Sequence, residues 1–363
     1  MSRGVRADIH LDAIVHNYRL AKAQAPAARA AAIVKADAYG HGLVPVARAL
    51  AADADAFGVA CIEEALALRQ GGVRQPIILL EGFFTADELP LIAEQGFWPV
   101  LHSEHQLRWL EQFHTPARLP VWLKLDTGMH RLGVTPAQVG PLLARLRRCE
   151  AVGEVLLMTH FARSDEPALS MTRDQLRCFD RVAQRFSLGA SLANSAAVMA
   201  WPQAHRQWLR PGIMLYGATP FSAPHPVADR LRAGMTLSSE IIALREVPAG
   251  ETVGYGATFR CDRARRIGTV AMGYGDGYPR HARNGTPVLV EGVATSLAGR
   301  VSMDMLTLDL TDLPQAGIGS RVELWGERLP VSEVARWCDT IPYTLLTGLT
   351  PRVKRYYSGG SSG

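Results

Sequence analysis

Over the first two thirds of the chain, short apolar runs alternate with longer stretches whose apolar residues recur at helical spacing. Ala30–Val34, Ala56–Ala60, Ile77–Leu80, Pro99–Leu101, Val121–Leu125, Val155–Thr159 and Ser191–Ala193 read as strands, and a weaker one lies near Leu209–Leu215. Between them Leu43–Ala52, Ile62–Gln70, Ala86–Gln95, Glu104–Phe113, Pro136–Arg147 and Met171–Phe186 carry the period of amphipathic helices. Strands that are apolar throughout belong to a parallel sheet covered on both faces. Eight such units in this length predict an α/β fold, a (β/α)8 TIM-type barrel.

After about Ala228 the pattern changes. Thr236–Val247, Arg266–Met272, Thr286–Leu297, Ser302–Leu310 and Arg321–Trp325 read as strands separated by Gly, Pro and Asp turns. Only Val331–Cys338 reads as a helix there. The expected division is a barrel over residues 8–227 and a smaller, mostly β domain over 228–357, joined by the Pro-bearing Thr219–Pro226. Ser358–Gly363 reads as a flexible low-complexity tail or cloning remnant.

Composition narrows the class. The chain has 363 residues, 48% hydrophobic and 20% charged, which excludes a disordered chain. Its apolar runs are far too short for a membrane span, and Met1–Leu20 lacks the apolar block of a signal peptide. The net charge of +5 comes without a Lys/Arg run interleaved with aromatics, so no nucleic-acid partner is expected. Arg145, Arg147 and Arg148 read as a solvated helix end. Five cysteines (Cys61, Cys149, Cys178, Cys261 and Cys338) form no C-x-x-C, as in a reduced, cytoplasmic protein without structural zinc. His102 and His105, at helical spacing with Glu104, lack a third ligand, so no metal is expected.

Polar residues stand where the strands end: Lys35, Glu81, Lys124 with Asp126, His160, Asn194 and Arg210. Barrel enzymes build their active sites at these ends. The start of a loop explains Glu81 well, but it explains Lys124 poorly, because Lys124 lies inside an apolar alternation. Lys35 closes the first barrel strand in AIVKADAYGHG. A lone lysine there is more often a snorkelling surface group, yet an amine held in a half-dry place can attack a carbonyl and form a Schiff base. Ala38–Gly42 is a glycine-bearing turn with an aromatic hydroxyl, able to approach an anionic ligand. The loops after the last two strands carry Asn194-Ser195-Ala196 and Arg210-Pro211-Gly212-Ile213. Ser195 is placed to cap a helix or to bind phosphate, and Gly212 lets backbone N–H groups approach. Lysine, phosphate cradle and barrel together suggest pyridoxal 5'-phosphate.

With these residues in view, the sequence resembles the alanine racemase family. The matching pieces are Ala32–Gly42 (AIVKADAYGHG), Lys124–Gly133 (KLDTGMHRLG), Thr159–Ala162 (THFA), Asn194–Ala197 (NSAA), Leu209–Gly217 (LRPGIMLYG), Val253–Thr258 (VGYGAT), Gly273–Pro279 (GYGDGYP), Gly299–Asp304 (GRVSMD) and Ile341–Tyr343 (IPY). They run in order over nearly the whole chain. The resemblance implies racemisation of L- and D-alanine by two bases. Lys35 carries the cofactor and serves the D-isomer. Tyr255, reaching the site of the partner in a head-to-tail homodimer, serves the L-isomer. It places His160 and Arg210 behind Tyr255, with Arg210 also facing the cofactor's ring nitrogen. An arginine cannot accept a proton, so that nitrogen would stay unprotonated and the electron sink weak.

The same resemblance assigns the substrate carboxylate to Arg131 and to the backbone N–H of Met303 from the partner subunit. It implies a carbamate on Lys124 that could hold Arg131. The plain alternative is a lysine paired with Asp126. Tyr39, Asn194, Ser195, Gly212, Ile213 and Tyr343 match cofactor positions, and Tyr343 also limits substrate size. Asp165, Tyr274, Arg280, Arg300 and Ile341 fall near the family's access corridor, with Asp304 beside Met303. Met129 and Met305 read as packing residues. His130 departs from relatives that carry glycine there, which bears on the local turn rather than on the register of Arg131.

Other readings are a racemase of broader amino-acid scope and a decarboxylase of basic amino acids on the same plan. A decarboxylase would carry a nucleophilic cysteine motif where VGYGAT and GRVSMD stand. A non-enzymatic pyridoxal-phosphate carrier would end near residue 230 and lack Tyr255. The physiological role is D-alanine supply for peptidoglycan or L-alanine catabolism, between which the sequence does not choose.

Overall fold

The computed structural model describes residues 3–360. Strand β1 (Arg6–His10) comes first and stands outside the barrel. The next eight strands close a parallel barrel in chain order: β2 (Arg29–Ile33), β3 (Ala56–Val59), β4 (Ile77–Leu79), β5 (Trp98–Leu101), β6 (Leu119–Lys124), β7 (Val152–Met158), β8 (Gly189–Ser191) and β9 (Trp208–Leu209). The ring shuts where Arg29 pairs with Trp208 and Ala30 with Leu209. β3 and β4 are buried at every position, as strands covered by helices must be. The expected eight-strand barrel is therefore the observed one.

Boundaries shift for local reasons. The runs read as strands at Ser191–Ala193 and Leu209–Leu215 end early. Asn194 caps a short helix, Ser195–Ala200, by accepting a hydrogen bond from Ala197 N–H at 3.0 Å. Ile213–Tyr216 turns as a 3-10 helix. The helix expected at Ala86–Gln95 divides at Leu89, after a capping box between Thr85 and Glu88.

Tryptophans form the barrel's floor. Strand alternation places Trp122 below Lys124 and Trp208 below Arg210. The Trp122 and Trp208 rings lie 5.6 Å apart, and Trp98 meets Trp208 edge-on at 5.7 Å. Both strand-end cations thus stand on a layer of packed indoles.

The second sheet contains β10 (Met235–Val247), β13 (Arg265–Val270), β14 (Pro287–Val290), β15 (Val293–Ser296), β16 (Leu306–Asp309), β17 (Arg321–Trp325) and β18 (Lys354–Ser358). Beside it, β11 (Thr252–Val253) and β12 (Phe259–Arg260) form a small ribbon. The first half of β10 lies between β1 and β17, and its second half pairs with β13. β18 runs parallel to β1, with Ile9 opposite Tyr357.

Five expectations are corrected here. Asp8–His10, assigned to the barrel, lie in β1, whose partners are far away in the chain. The span Thr286–Leu297 is a hairpin rather than one strand, turning at Glu291 and Gly292 with φ of 48° and 80°. Ser302–Met305 is a loop, and only Leu306–Asp309 of that run is a strand. A second helix, Pro342–Thr347, follows Val331–Trp337 and starts with proline in its first turn. Ser358, placed in the tail, closes β18, and residues 361–363 lie outside those described. No helix among the described residues is long and apolar enough to cross a membrane.

One local conformation bears on the site. After Lys35 the backbone makes a left-handed turn through Ala36, Asp37, Ala38 and Tyr39, with φ of 53°, 55°, 53° and 51°. A residue with a Cβ is less stable in this region by about 1–2 kcal/mol.

Candidate active site

A cavity of about 640 Å3 opens at the C-terminal ends of the barrel strands. Lys35, Tyr39, Lys124, Arg131, His160, Asn194, Ser195, Arg210, Gly212, Ile213 and Tyr343 all line it. The structure thus gathers, from five strand ends and the helix Pro342–Thr347, almost every barrel-side residue singled out in the sequence.

Arg210 is fixed by the barrel wall. It donates from Nη1 to Ser191 Oγ, and from Nη2 to the carbonyls of Thr159 at 2.6 Å and Leu192 at 3.1 Å. No carboxylate pairs with it among the described residues, and its Nε–H has no acceptor there. Burial pulls its pKa down to about 10.

Lys124 is 7% exposed. Burial, then the charges of Arg210, Arg131 and Lys35, pulls its amine down to about 8, and only Glu81 opposes them. Asp126 is not its partner. That carboxylate accepts from Gly128 N–H at 2.9 Å and His130 N–H at 3.1 Å, and it pairs with His130 Nδ1 at 2.9 Å. His130 has φ of 56°, which explains why glycine suits this place. Arg131 has no hydrogen-bond partner among the described residues. His160 is held well below the usual histidine range by burial and then by Arg210, Lys124, Arg131 and Lys35.

The opposite wall is built for an anion. Ser195 Oγ accepts from the N–H groups of Gly212 at 2.8 Å and Met214 at 3.3 Å. A Cβ at Gly212 would sit 2.9 Å from the Tyr39 hydroxyl, so only glycine leaves this cradle open. Tyr39 stacks on Tyr216 at 4.7 Å and meets Tyr343 at 5.9 Å. Burial drives the Tyr39 phenol upward and Tyr343 up to about 12. Asn194 lines the cavity, but its Oδ1 is committed to the helix cap and to Ser164 Oγ at 2.8 Å. A ring with a phosphate arm fits this donor set: an amine at one end, hydroxyls and a glycine at the other, and a free guanidinium N–H at the side.

Sequence reasoning set Glu81 aside as the start of a loop. It is the one carboxylate on the cavity wall, at the end of β4. Its carbonyl is held by His102 Nε2 at 3.2 Å, which gives that histidine a structural partner. The signal was its strand-end position, shared with Lys124.

Another set of expected residues does not reach this cavity in its own chain. Tyr255 is 67% exposed, on the short turn Tyr255–Ala257, and Met303 is 53% exposed. Arg280 and Arg300 line a separate cavity of about 390 Å3, with His281 and Asn284. Asp165 acts on the Tyr343 phenol from outside the cavity lining. Ile341 is exposed. Tyr274 and Met303 are tied together: Tyr274 N–H donates to Ser302 O at 3.0 Å, and Gly275 N–H to Met303 O at 2.8 Å. The Met303 N–H itself has no acceptor among the described residues. Below this loop Asp276, fully buried, receives both Arg3 nitrogens at 2.9 Å and Arg352 Nε at 3.1 Å, and Arg352 also holds Asp304 at 2.7 Å.

Residues 9–220 match the family model for the alanine racemase N-terminal domain, and residues 234–357 match the model for the C-terminal domain. The chain belongs to the alanine racemase family. It is 55% identical over 356 residues to an alanine racemase of Pseudomonas syringae pv. syringae, covering 98% of this chain and 99% of that protein. It is also 55% identical over 357 residues to a catabolic alanine racemase of Pseudomonas aeruginosa, again over 98% and 99%. Among solved structures, a biosynthetic alanine racemase from Pseudomonas aeruginosa superposes with a TM-score of 0.95 at 50% identity, covering 98% of this chain and all of that one. The alanine racemase from Acinetobacter baumannii gives 0.92 at 38% identity. Both the barrel and the second sheet are therefore those of alanine racemases.

Proposed function

We propose that the protein interconverts L- and D-alanine with pyridoxal 5'-phosphate anchored covalently on Lys35, as a homodimer whose subunits share their active sites. The observation that carries this reading is the convergence of Lys35, Arg210 and the Ser195–Gly212–Tyr39 cradle on one cavity, in a chain of this family. The barrel, from β2 to β9, holds the cofactor, and residues 228–357 complete the partner's site. Five free cysteines support a cytoplasmic location.

The cofactor, when bound, draws electrons from the substrate's Cα and makes its proton removable. The rest is the work of this chain. Tyr39, Ser195, Gly212, Ile213 and Tyr343 hold the phosphate arm, beside Asn194. Arg210, committed to neutral acceptors, would offer its remaining N–H to the cofactor's ring nitrogen and would not protonate it in the manner of a carboxylic acid. Arg131 and the Met303 N–H of the partner subunit take the substrate carboxylate.

Lys35 exchanges the Cα proton on one face and Tyr255 of the partner subunit on the other, so inversion needs no rotation of the substrate. A phenol in water keeps its proton to about pH 10. His160, kept neutral, and Arg210 stand where they ease its loss. Tyr343 leaves room for a methyl group and little more. A carbamate on Lys124 would face Arg131 with opposite charge and hold it in place. Exposed Tyr255, Tyr274 and Met303 suit a surface that another chain covers.

Incubating the protein with L-alanine in heavy water tests the reaction, with serine and lysine run beside it for scope. Deuterium should appear at Cα of alanine together with D-alanine, and its absence would sink the reading. Mixing inactive Lys35→Ala and Tyr255→Phe dimers should restore some activity. If subunits exchange and none returns, the sites are not shared.

A further inference from the structure

The turn Ala36–Tyr39 is unfavourable for four residues in succession, and such a conformation persists only where its surroundings over-determine it. The chain supplies several holds. Glu64, on the helix Ile62–Gln70, accepts from Ala36 N–H at 2.7 Å with one oxygen and from Ala60 N–H at 2.8 Å with the other. His41 shows Nδ1 to the carbonyls of Tyr39 at 2.9 Å and Ala38 at 3.1 Å, so that nitrogen carries the proton. Arg355 comes from β18, in the other sheet. Its Nε–H donates to Gly40 O at 2.7 Å, and its Nη2 meets Asp37 at 3.4 Å. At Gly40 a Cβ would sit 2.1 Å from the Leu346 carbonyl, so the turn's exit is closed to other residues.

Lys35 opens this turn and Tyr39 ends it, and both line the cavity. A turn of the ordinary hand would carry the Tyr39 hydroxyl away from Gly212. We propose that Arg355 and Glu64 are positioning residues for Lys35 and Tyr39. They clamp the turn in its left-handed form, so that the cofactor meets a preformed cradle. The second sheet thereby acts on the barrel's own site, in addition to what it offers a partner. The proposal rests on the reading that Lys35 and Tyr39 hold pyridoxal 5'-phosphate.

The test is a titration of apoprotein with pyridoxal 5'-phosphate, followed by the visible absorption of the bound form. Arg355→Ala should bind about tenfold more weakly, because the competent turn is populated only in part. Ala36→Gly, which relieves the backbone at an exposed position with φ of 53°, should restore most of that loss in the double variant, measured against the Ala36→Gly single variant. Glu64→Ala, remote from β18, should reproduce both effects and serves if Arg355→Ala fails to fold. Unchanged affinity in the clamp variants overturns the proposal, as does a loss that Ala36→Gly leaves untouched. A wild-type apoprotein that takes up no cofactor would instead overturn the functional reading.

Discussion

The terminal nitrogen Nη2 of Arg210 lies 2.6 Å from the carbonyl oxygen of Thr159, and no carboxylate among the described residues shares that guanidinium. A buried cation held only by neutral oxygens is costly to keep and costly to remove. Arg210→Ala would leave the acceptors on Thr159, Leu192 and Ser191 without a donor, at about 1–3 kcal/mol each for those that stay dry. The expected loss is about 3 kcal/mol or more in denaturant unfolding of the apoprotein. Arg210→Lys, which keeps the charge and part of the bonding, should lose roughly half as much.

Lys124 should react with carbon dioxide more readily than surface lysines. Only the neutral amine attacks, and with its pKa near 8 half of it is neutral at that pH, whereas an ordinary lysine reaches this point at about 10.4. Carbon NMR after exposure to isotopically labelled bicarbonate should show one carbamate that Lys124→Met abolishes, its formation increasing as pH rises through 8. For the unmodified amine the folded pKa is depressed. The unfolded chain binds the extra proton between pH 8 and about 10.4, so stability rises with pH across that window.

His41 should contribute to acid sensitivity. It is fully buried, its Nε2 has no partner, and burial lowers its pKa to about 4. Between about pH 6.5 and 4 the unfolded chain carries a proton that the folded one refuses, so stability falls as pH falls, by up to about 3 kcal/mol from this group. His41→Gln should be less stable than wild type at pH 7, with the gap closing toward pH 4 in thermal unfolding. A gap that stays constant would remove His41 from the account.

Asp276 should govern the loop that carries Met303. Removing its carboxylate takes one acceptor from Arg3 and Arg352, which keep their bonds to Asp304, and frees the Gly273 N–H, which it accepts at 3.0 Å. Asp276→Ala should cost about 1–3 kcal/mol, because both guanidiniums stay partly solvated and the buried Gly273 N–H loses its acceptor. It should also speed hydrogen exchange at Gly275, whose N–H bonds Met303. Exchange at wild-type rates would separate the two loops.

Much of this was legible in the sequence because barrel strands buried on both faces leave apolar runs, and strand-end polar residues interrupt them. Lys35, Lys124, His160 and Arg210 were visible in that way. The left-handed turn was not. Its residues Ala36, Asp37, Ala38 and Tyr39 include no glycine, and the reversed hand is imposed by Glu64 and Arg355, far off in the chain. β1 was missed because a strand whose partners lie hundreds of residues away carries no local signature. The helix Pro342–Thr347 is too short, and too rich in threonine and tyrosine, to show a period.

β1 and β18 lie side by side, one before the barrel strands and the other after every other strand. The barrel is thus spliced into a sheet that begins before it and finishes after it. During synthesis the barrel can close while the second sheet still lacks this edge, because β18, the parallel neighbour of β1, follows every other strand. Removing either β1 or β18 would strip the same flank of the second sheet.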